Sequence, residues 1–301
     1  MTMQIYWYWI PISVILFILI LGLSLYFLIK AIIARYIKNI ENELTIDMHK
    51  ICEQSYNPKP ITASKLFDKN NAYSFNEVCN TTSSWAECQT DIASIPGFQV
   101  IKTFKLIDPV NNLKKDSCIL MYSKEQNIAV ISFAGTVFLS EWIDDLDFGN
   151  QKQPSFVSEK SGILIEKDQC LMYESMRDDI LSSLSSVINS TTLVYCIGHS
   201  LGGVLASLCF LDIITNKTEV QVVLYSFGSP RNGNIEFAKV ITDTQRAFRV
   251  INTEDIIPAL PLPVMKKGTV FYEHYGSVVS FTLNLKNLGD NHTIAYQQIL
   301  K

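Results

Sequence analysis

The chain opens with an uninterrupted apolar run and then changes character. From Ile5 to Ile29, about 25 residues pass without one charge, more than the ~20 a helix needs to cross bilayer hydrocarbon. Tyr6, Trp7, Tyr8 and Trp9 cluster at one end, and Tyr26 and Tyr36 lie near the other, the places where aromatic rings settle at a membrane interface. A cleaved leader would carry a shorter apolar stretch, a basic start and a small-x-small cleavage site. None is clear here, so residues 1–38 read as a retained transmembrane helix with its basic flank. Ile37 to about Tyr56 has mixed charge at helical spacing and leads away from the membrane. Asn57 to Pro96, rich in Pro, Asn, Ser and Thr, predicts loop and short helix.

Beyond that point apolar and β-branched runs predict strands at Phe98–Leu106, Ser117–Tyr122 and Asn127–Phe133. A helix is expected at Gln169–Ile188, a strand at Leu193–Ile197, a buried helix at Val204–Leu211 and a strand at Val220–Phe227. A helix at Asn234–Asp243 and a strand at Ala247–Ile251 follow, then a late hairpin from Val270–Tyr272 and Ser277–Leu285. Strands alternating with helices predict a mostly parallel sheet covered on both faces. No linker divides the region, so residues 39–301 read as one domain.

Composition narrows the chemistry. Charged residues make up 18% of the 301 and the net charge is −4. No basic cluster with interleaved aromatics marks a nucleic-acid surface. The seven cysteines show neither a C-x-x-C pair nor metal-ligand spacing, so no metal or cofactor is expected. Cys118, Cys196 and Cys209 sit in apolar runs as core residues. Cys79 and Cys88 read as loop residues able to pair in an oxidising compartment. Lys30, Arg35 and Lys38 follow the span and nothing basic precedes it, which favours the cytosolic face for the following domain. Four N-x-S/T sequons, at Asn80, Asn189, Asn216 and Asn291, point the other way, to a lumenal domain.

The pentapeptide Gly198-His199-Ser200-Leu201-Gly202, followed by Gly203, stands between the predicted strand and the buried helix. A strand, a sharp turn and a helix are what lift a serine above a sheet at a nucleophile elbow. Alone it is a weak signal, since a glycine-lined turn can have no chemistry. A serine nucleophile needs a base, an orienter for the base and donors for an oxyanion. Of the four histidines, His199 lies within the elbow and reads as pointing away from the base position. His49 lies in the charged segment after the span. His274 reads as structural, and His292, in a polar loop before a short final helix, is the candidate base. Asp255, after a buried strand, is the candidate orienter, with Glu254 the alternative. The order Ser200, Asp255, His292 is that of an α/β-hydrolase.

Several ordered segments then resemble the class 3, fungal-type lipase family, which includes triacylglycerol and diacylglycerol lipases. Ile131-Ser132-Phe133-Ala134-Gly135-Thr136 is similar to its F-R-G-T strand end, and Glu141-Trp142-Ile143-Asp144-Asp145-Leu146 to its D-W-x-x-D-L. The elbow matches G-H-S-L-G-G. Ser226 to Arg231 resembles F-G-x-P-R, Asp255-Ile256-Ile257-Pro258 resembles D-x-V-P, and His292 to Tyr296 resembles H-x-x-x-Y. The resemblance implies an α/β-hydrolase fold. It also implies Ser200 as nucleophile, His292 as base, Asp255 as orienter, and the backbone N–H groups of Thr136 and Leu201 as the oxyanion hole. Two segments depart from the family: Ala134 stands where arginine is common, and an H-x-G-F segment is reduced to Ser161-Gly162-Ile163. Phe148–Ser161 reads either as a mobile lid or as an ordinary surface loop. The expectation is a membrane-anchored serine hydrolase of fatty-acyl esters, acylglycerols or phospholipids, with a lipid as its partner. The alternatives are an acyltransferase or thioesterase on the same fold, or a catalytically dead membrane-tethered module.

Overall fold

A computed structural model describes residues 28, 30, 31, 35, 52–136, 149–265 and 268–301. The chain divides into two units, Met1–Leu44 and Thr45–Lys301. In the first, the described residues Leu28, Lys30, Ala31 and Arg35 are helical and exposed. The rest of the expected span, His49 and the Glu141–Leu146 segment lie outside the described residues. Among the described residues no helix is long and apolar enough to cross a membrane.

In the second unit the strands are β1 (Gln99–Ile107), β2 (Lys114–Ser123), β3 (Ile128–Phe133), β4 (Gln151–Lys152), β5 (Ile165–Glu166), β6 (Leu193–His199), β7 (Gln221–Phe227), β8 (Ala247–Asn252), β9 (Val264–Met265), β10 (Val270–Phe271) and β11 (Ser277–Phe281). Seven of them form one sheet in the order β1-β2-β3-β6-β7-β8-β11. From β3 to β11 every neighbouring pair is parallel, and β2 alone runs against its neighbours. β3 and β6 are buried at every position and β7 at all but its first, which is why they read as continuous apolar runs rather than alternating ones. The register aligns Phe133 with Gly198, Gly198 with Ser226 and Phe227 with Val250. The carboxyl ends of four parallel strands therefore open onto one edge, where the candidate residues follow.

Helix α1 (Lys69–Cys88) covers one face, its Phe75 ring packed 4.8 Å from Tyr195 and 5.1 Å from Tyr225. Helices α2 (Lys167–Ser185) and α3 (Leu201–Asn216) lie on the other, where Cys209 meets Cys196. Arg177 of α2 forks onto the fully buried Asp212 of α3 (Nε 2.6 Å, Nη2 3.1 Å), and Tyr173 donates to the same carboxylate at 2.9 Å. Three further helices follow in chain order: α4 (Ile235–Asp243), α5 (Leu288–His292) and α6 (Ile294–Leu300).

Three expectations are corrected, and one open alternative is narrowed. The segment read as loop and short helix holds the 20-residue α1, opened by the Asp68 side chain accepting from the Asn71 N–H and closed at Gln89 in a left-handed conformation. Its polar composition hid it, because Asn71, Ser74, Asn76, Thr81, Thr82 and Ser84 are all buried. Cys79 is consequently a buried free thiol inside α1, and Cys88 pairs with Cys52. The late hairpin is formed by β9 and β10, while β11 is an edge strand parallel to β8. The described part of the candidate lid is anchored: Phe156 packs on Tyr173, its carbonyl accepts from Asn216, and the Ser155 N–H donates to Glu174. Those contacts suit an ordinary surface loop.

Candidate active site

The elbow is built by close approach. A Cβ on Gly198 would collide with the Gly202 carbonyl, and one on Gly202 with the Phe133 carbonyl. Between these glycines Ser200 takes φ 56° and ψ −127°, a left-handed backbone that a non-glycine residue holds only when its surroundings enforce it. Its own N–H donates to the Phe227 carbonyl at 2.8 Å, and its carbonyl accepts from Gly203 at 3.0 Å. Leu201 opens α3, so its N–H is one of the first-turn donors without an intrahelical acceptor.

Asp255 and His292 come together from the loop after β8 and the end of α5. His292 Nδ1 lies 2.8 Å from Asp255 Oδ2, both side chains fully buried. An ionised carboxylate only accepts, so Nδ1 carries the proton and Nε2 presents its lone pair. Asp255 Oδ2 also accepts from the Tyr296 hydroxyl at 2.7 Å, and Oδ1 from the Ile257 N–H at 3.0 Å. Burial and the neighbouring Asp255 push the Tyr296 phenol far above its ordinary range, which keeps it a donor. Glu254, the alternative orienter, instead takes a bond from Asn284 at the surface.

Gly228 joins the two halves. It follows Phe227, whose carbonyl holds the Ser200 N–H, and a Cβ there would lie 3.0 Å from Asp255 Oδ2 and 3.1 Å from both His292 Cε1 and Tyr296 Oη. Its φ of +57° is likewise one that glycine adopts freely. Ser200 Oγ and His292 Nε2 are both buried and have no hydrogen-bond partner among the described residues. These are the two atoms between which a base would take the serine proton, and such bonds are often loose before substrate binds.

Gly135 brings the β3 end against the elbow: a Cβ on it would be 2.7 Å from the His199 carbonyl and 3.4 Å from Ser200 Cβ. Thr136 follows directly, lining a cleft with Gly135 and His199. The Gly135 N–H donates to Ser83 Oγ of α1 at 2.9 Å, a support that no sequence motif signalled. Tyr296 was visible only as the last letter of H-x-x-x-Y. His199, read as pointing away from the base position, instead packs on it, with ring centroids 4.6 Å apart. His274 bonds the Pro258 carbonyl at 2.8 Å, and burial lowers its pKa to about 3. Among the described residues no group of His, Cys, Asp and Glu is placed to hold a metal ion.

The family described as lipase (class 3) matches residues 130–265. The secreted mono- and diacylglycerol lipase A of Penicillium cyclopium is 33% identical over 135 residues, 44% of this chain and 43% of that protein. Phospholipase A1-II 5 of Oryza sativa subsp. indica is 30% identical over 182 residues, 51% of this chain and 38% of that protein. The chain thus spans less than half the length of these curated relatives. Lipase II from Rhizopus niveus superposes with a TM-score of 0.58 at 21% identity, covering 73% of this chain and 84% of that one. That likeness shows a common fold, the α/β-hydrolase arrangement.

Proposed function

We propose, on the match of residues 130–265 to the class 3 lipase family, that the chain is a member of it and hydrolyses fatty-acyl esters of lipids through an acyl-enzyme on Ser200. The observation that carries this reading is the buried Asp255–His292 pair, at 2.8 Å, beside a serine held at φ 56°. Ser200 Oγ attacks the ester carbonyl while its proton passes to His292 Nε2. The resulting oxyanion is received by the N–H groups of Leu201 and Thr136, donors worth roughly 3 kcal/mol each in such sites. Collapse expels the alcohol, which takes the proton from His292. Water then attacks the acyl-enzyme, gives its proton to His292, and the fatty acid leaves as Ser200 regains its hydrogen. Asp255 holds the imidazole and stabilises its charged form throughout.

Acylglycerols and phospholipids are the proposed substrates. They are the classes named for the similar Penicillium and Oryza proteins, and a membrane anchor at residues 1–38 would keep the catalytic domain, residues 39–301, at the surface where they lie. The Cys52–Cys88 disulfide supports an oxidising compartment for that domain, against the cytosolic side favoured by Lys30, Arg35 and Lys38. Two sequons are spent within the fold: the Asn216 amide donates to Asp212 and the Asn291 amide to Glu254. Asn80 lies in α1 and lines the cleft with Gly135 and Thr136, which leaves the exposed Asn189 as the glycan acceptor.

A fluorophosphonate probe tests the chemistry. Wild type should label and Ser200→Ala should not, with kcat on a soluble short-chain ester lowered at least ~10³-fold. An unlabelled wild type, or equal labelling of both, would overturn the proposal. Mono-, di- and triacylglycerol emulsions beside phosphatidylcholine vesicles then rank the substrates.

A further inference from the structure

The elbow residue before the nucleophile has a second place in the site. His199 closes β6, and its ring is almost wholly buried. Its Nε2 lies 2.7 Å from the main-chain carbonyl of His292. A carbonyl only accepts, so Nε2 carries the hydrogen and the tautomer is fixed. The bond falls where it is needed, because His292 is the last residue of the five-residue α5 and the final carbonyls of a helix have no intrahelical donors. The same ring packs against that of His292 and stands edge-on to Tyr296, with centroids 5.4 Å apart. His199 therefore touches both members of the pair that hold or surround Asp255.

We propose that His199 is a positioning residue: by donating from Nε2 to the His292 carbonyl it fixes the backbone of the base relative to Ser200, to which His199 is itself covalently joined. One peptide unit then carries the nucleophile and a clamp on the base, so the two cannot drift apart independently. The inference rests on the serine-hydrolase reading above. The titratable groups facing His292 are Asp255 after β8, Tyr296 on α6 and His199 at the end of β6. Burial, and secondarily the His292 charge, hold His199 well below its ordinary pKa. It stays neutral when His292 takes the Ser200 proton and adds no like charge beside the new imidazolium.

The test compares two amide substitutions in the full chain. In His199→Gln the side-chain nitrogen occupies the Nε2 position and can donate to the same carbonyl. In His199→Asn it occupies the Nδ1 position and falls short. With a soluble short-chain ester, His199→Asn should lower kcat about 10–100-fold with KM little changed, since misplacement of order 1 Å costs up to ~10²-fold. It should also move the acid limb of kcat/KM to lower pH, because a loosened imidazole is held less well by Asp255 once charged. His199→Gln should recover kcat to within about threefold and restore the limb. His199→Asn activity within threefold of wild type would overturn the proposal. So would equal losses in both variants with an unmoved acid limb, the mark of packing alone. Ser200→Ala in the same series separates the premise: if it keeps wild-type activity, the hydrolase reading itself fails.

Discussion

Tyr296 does two jobs with one oxygen. Its hydroxyl donates to Asp255 Oδ2 at 2.7 Å and accepts from the Asn252 N–H at 3.0 Å, both in the interior. Tyr296→Phe removes a donor from a buried carboxylate and leaves a buried N–H without its acceptor. The expected cost is about 1–3 kcal/mol of stability, read as a shift in the urea midpoint. Because Asp255 would hold His292 less rigidly, kcat on a soluble ester should fall about tenfold, equivalent to ~1.4 kcal/mol. A variant with wild-type kcat and midpoint would show that Ile257 and His292 alone suffice to place the carboxylate. At this scale the sequence spoke unevenly. The pairing of Asp255 with His292 and the sharp turn at Ser200 were legible because each candidate stands in an ordered motif with a chemical reason. The hydroxyl of Tyr296 and the ring of His199 were not, since their partners lie 41 and 93 residues away in the chain and only packing brings them together.

Among the elements, α1 carries the consequence that its composition concealed. A helix with so many buried Ser, Thr and Asn positions shows little amphipathic contrast, so periodicity passed it over. Those polar groups support the sheet edge at the site: Thr82 Oγ1 meets Ser132 Oγ of β3 at 2.7 Å, and Ser83 Oγ accepts from the Gly135 N–H at 2.9 Å while donating to the Cys79 carbonyl. Ala134 stands at the arginine position of the F-R-G-T pattern that this segment resembles, and the tip of β3 is held by backbone and hydroxyl groups, including the Ala134 N–H on the Ser117 carbonyl at 2.7 Å. Ser83→Ala should free the Gly135 amide and loosen the residue pair that presents the Thr136 N–H. Complete loss of one oxyanion donor costs roughly 10²–10³ in kcat, so partial misplacement should cost about 3–30-fold with KM nearly constant. Steady-state kinetics on a soluble ester check this, and an unchanged kcat would mean the loop is held without α1. The strands, by contrast, were read within a residue or two at β3, β6, β7 and β8, because fully buried parallel strands announce themselves as short unbroken apolar runs. The error at β11 has the opposite cause. Its exposed edge pattern, with no position buried, resembles that of a surface hairpin.

The whole molecule turns on how the segment entering the second unit is fastened to it. Cys52 lies just inside the unit that begins at Thr45, and its disulfide reaches the last residue of α1, 36 positions on. Two and four residues beyond Cys52, Gln54 and Tyr56 line the cleft that also holds Gly135, Thr136 and His199. The cross-link thus pins the entering chain to the helix whose Ser83 supports Gly135, beside the proposed oxyanion donor Thr136. Chain entropy for a loop of this length assigns the bond about 3–4 kcal/mol of stability at 25 °C. Cys52→Ser, or reduction of the native protein, should therefore lower the free energy of unfolding by about that amount. The five remaining thiols are buried in the interior, so a maleimide reagent of high mass applied to the folded protein should add only at Cys52 and Cys88, and only after reduction. The same reagent, present as cells are lysed without denaturant, reads the compartment: two accessible thiols without reductant would place the domain on the cytosolic side, and none until reductant is added would place it on the oxidising side. A Cys52→Ser variant as stable as wild type would detach the entering segment from the energetics of the fold, leaving α1 to hold the oxyanion edge through Ser83 and Thr82 alone.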